Sequence, residues 1–240
     1  MTVLEPIRVI DADAHMTERH DLFTERAPKG YEDKVPHVVR IDDVDMWVVD
    51  GHTFGKAGSG GTIDHDGKKH PFRLSQGGGW GIDDVHPAAW DPAERLRLMD
   101  ELGIDTQVLY PNAIGIGGQN LYNTVKDPTI VRLCVELYND AMAEVQEESG
   151  HRLLPMPIMP AWDVAECVRE ARRCADMGYR GVNMTADRRT RDRPTWVTGP
   201  GTRSGRCVPD SGYPCTSTSA PVRRPSPTSA RRSGRARTIT

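Results

Sequence analysis

Three groups able to hold a cation or move a proton crowd the start of the chain. They are Asp11, Asp13 and His15 in the run Asp11-Ala12-Asp13-Ala14-His15, and Glu18 follows shortly after. In an extended segment side chains alternate between faces, so Asp13 and His15 project the same way. A carboxylate and an imidazole two residues apart at a strand end can share one divalent cation, and this oxygen and nitrogen pair suits Zn2+ or Mn2+. A second reading has Asp11 or Asp13 capping a following helix, and the spacing alone does not separate the two. Asn112, after Tyr110-Pro111, stands where a strand ends and either touches a substrate or makes a local Asx-turn. His52, His65, His70 and His86 lie in a polar stretch and read as solvated loop histidines. Gly115-Ile116-Gly117-Gly118 lacks the Lys-Ser/Thr of a phosphate-binding loop.

These groups need a scaffold, and the pattern around them supplies one. Arg8–Ala12 reads as a short buried strand. Residues 37–88 read as a long insertion with a β-hairpin over Val38–Val49 and glycine-rich loops. From residue 91 the signals become regular. Asp91-Pro92 and Asp127-Pro128 look like an N-cap followed by proline at the first helical position. Leu96, Met99 and Leu102 then form one apolar face, with Gly103 as the stop. Ile130, Val131, Cys134, Leu137, Tyr138, Ala141 and Val145 form another, ended by Gly150. Asp163–Met177 is a further helix stopped by Gly178. Thr106–Tyr110, Leu153–Met159 and Tyr179–Met184 read as strands, the second made irregular by Pro155 and Pro157. Strand and helix alternate four times, which argues for parallel βα units. A closed eight-stranded barrel takes about 250 residues. Only residues 1–187 keep the rhythm, so four strands fit and eight do not.

Whole-chain composition narrows the class. The 240 residues are 37% hydrophobic and 27% charged, with no apolar run long enough for a membrane span and no basic-then-apolar leader. The expected location is the cytoplasm. Five cysteines without a CxxC pair argue against a disulfide framework or a cysteine-based zinc site, and Cys134, Cys167 and Cys174 fall in apolar helical patterns. The formal net charge is −3, yet residues 188–240 hold 12 Arg, no Lys and only Asp192 and Asp210, a net of +10 that leaves −13 for the rest.

Val9-Ile10-Asp11-Ala12-Asp13-Ala14-His15-Met16-Thr17-Glu18 resembles the opening of the amidohydrolase-related family, which groups aminocarboxymuconate-semialdehyde decarboxylase-like and resorcylate decarboxylase-like enzymes. Arg95-Leu96-Arg97-Leu98-Met99-Asp100-Glu101-Leu102-Gly103-Ile104-Asp105 is similar to the helix that precedes a strand in that family. The resemblance covers roughly residues 7–187. It implies a (β/α)8 TIM barrel, of which this chain holds the first four or so βα units, and one divalent metal, Zn2+ or Mn2+. Asp13 and His15 match the family's first-strand ligands, and Glu18 and Asn112 become candidates for substrate contact. It also implies a small-molecule substrate, with hydrolysis or decarboxylation as the reaction. Relatives of this kind are often oligomers. The later-strand acid/base Asp and the remaining His ligands of the family have no counterpart here, so the chain as written is expected to be inactive and poorly soluble.

Residues 188–240 carry no Leu, Phe or Met and no helical or strand period. One reading is a basic, disordered arm attracted to nucleic acid. Only Trp196 and Tyr213 offer aromatic stacking there, which weakens it. The other reading is translation out of frame, since arginine without lysine is what a GC-rich gene yields in the wrong frame. Triplets starting one nucleotide earlier permit, over Thr195–Pro221, an amphipathic helix, a glycine stop and an apolar strand, with histidine at the positions of Thr216 and Thr218. That is the next βα unit of the rhythm. The break falls near Arg188.

Overall fold

The computed structural model describes residues 7–57, 61–71, 80–160, 162–184 and the backbone of 215–217. Parallel strands β1 (Ile10–Met16), β5 (Thr106–Pro111) and β6 (Leu153–Pro155) form one sheet in the order β1-β5-β6. Just beyond β6, Ile158 makes a parallel bridge to Asn183 in β7 (Val182–Met184), and β7 pairs in parallel with β8 (Cys215–Ser217). The parallel strands thus follow one another in chain order, as successive βα units do in a barrel. Three antiparallel strands, β2 (His37–Ile41), β3 (Val44–Val49) and β4 (His52–Lys56), form a separate sheet.

The helices begin and end where the capping residues place them. Asp91 accepts from the N–H groups of Ala93 and Glu94 at 2.8 and 3.1 Å and opens α1 (Pro92–Leu102); Gly103 closes it in the left-handed region, φ 69°. A short helix α2 (Gln119–Thr124), which the sequence reading lacked, follows the glycine loop. Asp127 accepts from Thr129 N–H at 2.8 Å at the head of α3 (Pro128–Glu148). Asp163 does the same for Ala165 and Glu166 at the head of α4 (Val164–Asp176), with Gly178 at φ 84° beyond its end. Each such cap is worth about 1 kcal/mol.

Two apolar clusters hold these elements. Ala14 and Met16 of β1, Leu109 of β5 and Leu153 of β6 pack on Met99 of α1. A larger cluster joins α3, α4 and Val182 to Phe23, Trp47 and Val49. Cys134, Cys167 and Cys174 are buried and pack in this cluster as small apolar residues. Burial pushes the Cys134 and Cys174 thiols far above their ordinary range.

The structure departs from the sequence pattern at four places. The first strand starts later and runs further than Arg8–Ala12. It is not buried throughout: Val9 is 47% and Ile10 63% exposed, because β1 pairs with β5 alone among the described residues. Leu102 is 64% exposed, so α1 buries Met99 without it. The ladder of β6 stops at Pro155 rather than Met159, since neither Pro155 nor Pro157 has an N–H to offer. The tail, read as lacking strand character, contributes β8; its other residues lie outside the described ones. Among the described residues no helix is long and apolar enough to cross a membrane.

Candidate metal and substrate site

β1 carries the two residues that open the chemistry, and a bulge aims them. Asp11 pairs with Gln107 and Ala14 with Leu109, so three steps on β1 match two on β5. Asp11 is thereby left on the α1 side, where its Oδ2 accepts from the Gln107 amide at 2.9 Å; the Gln107 Oε1 in turn accepts from Arg95 Nε at 2.8 Å. Past the bulge Ala14 and Met16 enter the core under α1. Asp13 and His15 occupy the opposite face, with Asp13 Oδ1 and His15 Nε2 3.9 Å apart. Their side chains are 89% and 33% exposed. The alternation expected from the sequence therefore brings Asp13 and His15 together, at the C-terminal end of β1. The helix-capping alternative fails for both aspartates. Asp11 Oδ1 accepts from Asp13 N–H, at 3.2 Å, and among the described residues no helix begins directly after β1.

His15 is oriented from behind. Its Nδ1 lies 3.4 Å from the carbonyl oxygen of Pro111 at the end of β5, and its ring sits 5.9 Å from that of Tyr110. A carbonyl only accepts, so this contact favours the tautomer with the proton on Nδ1 and leaves the Nε2 lone pair facing Asp13. Metal-ligating histidines are held in this manner, with the second ring nitrogen donating to a carbonyl or carboxylate. Two donors at the usual 2.0–2.2 Å around a tetrahedral ion stand about 3.4 Å apart, so the 3.9 Å gap closes onto one cation after a small rotation of the exposed Asp13 side chain. Among the described residues no cluster of three or more such ligands forms. The pair fits a metal in chemistry but falls one ligand short of the three usual at a catalytic zinc.

Glu18 and Asn112 also come together, but across the backbone. Glu18 is 2% exposed. Its Oε1 accepts from Asn112 N–H at 3.1 Å and its Oε2 from Ala113 N–H at 2.8 Å. Burial pushes this carboxyl above its ordinary value, while the backbone N–H groups of Ala113, Glu18, Asn112 and Ile114 pull it back down. The Asn112 side chain donates to Thr17 Oγ at 3.1 Å, so it bonds to the neighbouring strand end instead of making an Asx-turn. Both residues brace the β5–α2 loop. Sequence reading could not see this role, because the partners lie 94 to 95 positions apart.

The loop is tied down at further points. Tyr122 donates to the Met159 carbonyl at 2.5 Å, and the Asn183 amide donates to the Ile116 carbonyl. Of the loop histidines, His52 Nδ1 lies 2.7 Å from the Asp50 carbonyl. His70 Nε2 lies 2.6 Å from Asp64 Oδ2 with its ring edge-on to Trp80, and His86 accepts from Ala88 N–H. The hydrogen bond from His70 holds Asp64 below its ordinary value. His65 contributes its backbone N–H to the Asp84 carbonyl.

No protein-family model matches the chain, and no curated protein matches it. Among solved structures it is similar to an amidohydrolase from Mycobacterium avium subsp. paratuberculosis, with 21% identity and a TM-score of 0.54 over 76% of this chain and 50% of that one. It is also similar to 5-carboxyvanillate decarboxylase from Novosphingobium aromaticivorans with bound manganese, with 16% identity and a TM-score of 0.50 over 87% of this chain and 49% of that one. The chain spans about half the length of these structures. At such identities the likeness is one of fold. The parallel βα units, with their candidate ligands at the C-terminal end of the first strand, form a partial (β/α)8 barrel of the kind that amidohydrolases and related decarboxylases share.

Proposed function

We propose that this chain represents part of a metal-dependent hydrolase of the amidohydrolase superfamily acting on a small molecule, with Asp13 and His15 as two ligands of one divalent cation. The observation that carries the reading is the pair itself. Carboxylate and imidazole share one face at the strand end, and the imidazole is turned by Pro111 so that Nε2 faces the carboxylate. A divalent cation bound there supplies Lewis acidity toward a substrate oxygen. The chain's own residues hold it, orient His15, and shape the β5–α2 loop through Glu18 and Asn112. Asn112 stays a candidate substrate contact, because its partly buried amide sits at the end of the neighbouring parallel strand β5. Glu18 acts from beneath the loop.

A carboxy-lyase is the second reading, favoured by the decarboxylase among the similar structures; its manganese makes Mn2+ a natural first probe beside Zn2+. Residues 188–240 are read as out-of-frame translation. Their arginine-rich, lysine-free composition supports this. On this reading the chain as written lacks the ligands that complete the site and turns over no substrate.

The test is a Co2+ titration of the full chain, followed by visible absorption, with Mn2+ competition. Expected is one weak site per chain that His15→Ala and Asp13→Ala each abolish. Binding that survives His15→Ala would sink the assignment.

A further inference from the structure

Glu18 and His15 touch opposite ends of one peptide group. The Pro111–Asn112 peptide presents its carbonyl to His15 Nδ1 at 3.4 Å, and its N–H to Glu18 Oε1 at 3.1 Å. A peptide unit is planar and rigid, so fixing its N–H also fixes the direction of its C=O. The next N–H, of Ala113, is held by the other oxygen of the same carboxylate at 2.8 Å, which prevents the plane from rotating about its axis. Glu18 is buried and does not itself reach the Asp13–His15 pair through any hydrogen bond or ion pair.

We infer that Glu18 is a positioning residue for the candidate metal site, acting on His15 through the Pro111–Asn112 peptide plane. Two effects follow from one arrangement. The carbonyl is aimed at Nδ1, which selects the tautomer with Nε2 bare. An anionic acceptor on the N–H also polarises the peptide, strengthening the carbonyl as an acceptor and the imidazole as a ligand. This inference rests on the reading of His15 as a ligand for its consequence, though the tautomer lock itself exists without metal.

The experiment reads the ring nitrogens of His15 by nitrogen-15 NMR in the metal-free full chain at pH 8. His15→Ala identifies the signal. Wild type is expected to show Nδ1–H with bare Nε2. Glu18→Gln keeps the volume but places an NH2 against a backbone N–H, and is expected to give a mixture of tautomers. Asn112→Ala keeps the backbone N–H and is expected to leave the tautomer unchanged. If Glu18→Gln does not fold, Glu18→Asp, which keeps the charge and shortens the reach, gives the same comparison.

An Nε2–H tautomer in wild type overturns the inference. So does an unchanged tautomer in the folded Glu18 variant, or equal scrambling by Asn112→Ala. Co2+ titration of the same samples separates this inference from the functional reading. A locked tautomer with no cobalt binding retires the metal site and leaves the relay standing. His15-dependent cobalt binding that Glu18→Gln leaves unaltered, with the tautomer also unaltered, retires the relay alone. Where both hold, Glu18→Gln weakens cobalt binding by about 10- to 100-fold, the usual effect of losing an outer-shell partner.

Discussion

The molecule contains two polar clusters built to opposite standards. Between α3 and α4, Asn139 and Glu170 are fully buried and fully engaged. Asn139 exchanges hydrogen bonds with the Ile158 backbone at 3.0 and 2.9 Å and donates to Glu170 Oε1 at 2.8 Å; Arg173 grips both Glu170 oxygens at 2.6 and 3.0 Å. At the end of β1, Asp13 and His15 stand open, 3.9 Å apart, with the Pro111 carbonyl and the Tyr110 ring behind the histidine. The first cluster finishes its own chemistry and serves the fold. The second leaves acceptors facing solvent on an exposed face, where a cation can reach them. Satisfied polar groups report architecture, and unsatisfied ones in a strand-end position report function.

Breaking the closed cluster should cost most. Glu170→Ala leaves Arg173 facing a cavity and Asn139 short of an acceptor, and should lower stability by about 3 kcal/mol, in the range for removing one partner of a buried pair. Urea unfolding followed by circular dichroism measures it; a loss below about 1 kcal/mol would show that Arg173 recovers through Asp140, its other partner. The same cluster should make the fold acid-sensitive. Burial works to raise the Glu170 carboxyl, but Arg173, Asn139 and Arg169 hold it below its ordinary value. A carboxyl lowered on folding contributes stability above its unfolded pKa of about 4.3, and that contribution fades as pH falls through the folded value. Stability should therefore fall from pH 5 downward in wild type and less steeply in Glu170→Gln, which has no charge to lose.

The open edge beside the second cluster gives the next effect. Ile7, Val9 and Ile10 are 91%, 47% and 63% exposed along β1 and its approach, where β1 has no partner on that side among the described residues. Unpaired apolar edges recruit other chains. The chain should self-associate at micromolar concentration, and Ile10→Lys should shift the distribution toward monomer in analytical ultracentrifugation. A wild-type chain that sediments as monomer throughout would show that this edge recruits no second chain.

How much of this was legible in the sequence follows from the range of each interaction. The helix boundaries were, because Asp91, Asp127 and Asp163 cap amides only two or three residues away. The pairing of Asp13 with His15 was, because strand alternation is local. The bulge between Asp11 and Ala14 was not, since it depends on the register against β5. Nor was the exposure of Leu102, which depends on what packs beside α1. Asn139 did leave a signal, as a polar residue beside Leu137 and Tyr138 on the buried stripe of α3, but its partners Ile158 and Glu170 lie 19 and 31 residues away. The loop brace at Glu18 left none.

The smallest effect is the most diagnostic. Asp13→Ala removes a side chain that is 89% exposed, and His15→Ala one that is 33% exposed and lies against the Tyr110 ring. Each should change stability by no more than about 0.5 kcal/mol, the ordinary range for surface positions. Asp13→Ala should even be neutral or slightly favourable in the metal-free chain, because the acidic body repels itself. Adding saturating Co2+ should then raise the wild-type thermal midpoint and leave both variants where they were, since only a ligand bound to the folded state shifts that equilibrium. A stability loss as large as that of Glu170→Ala would mean that the pair is part of the framework after all, and the contrast between the two clusters would collapse.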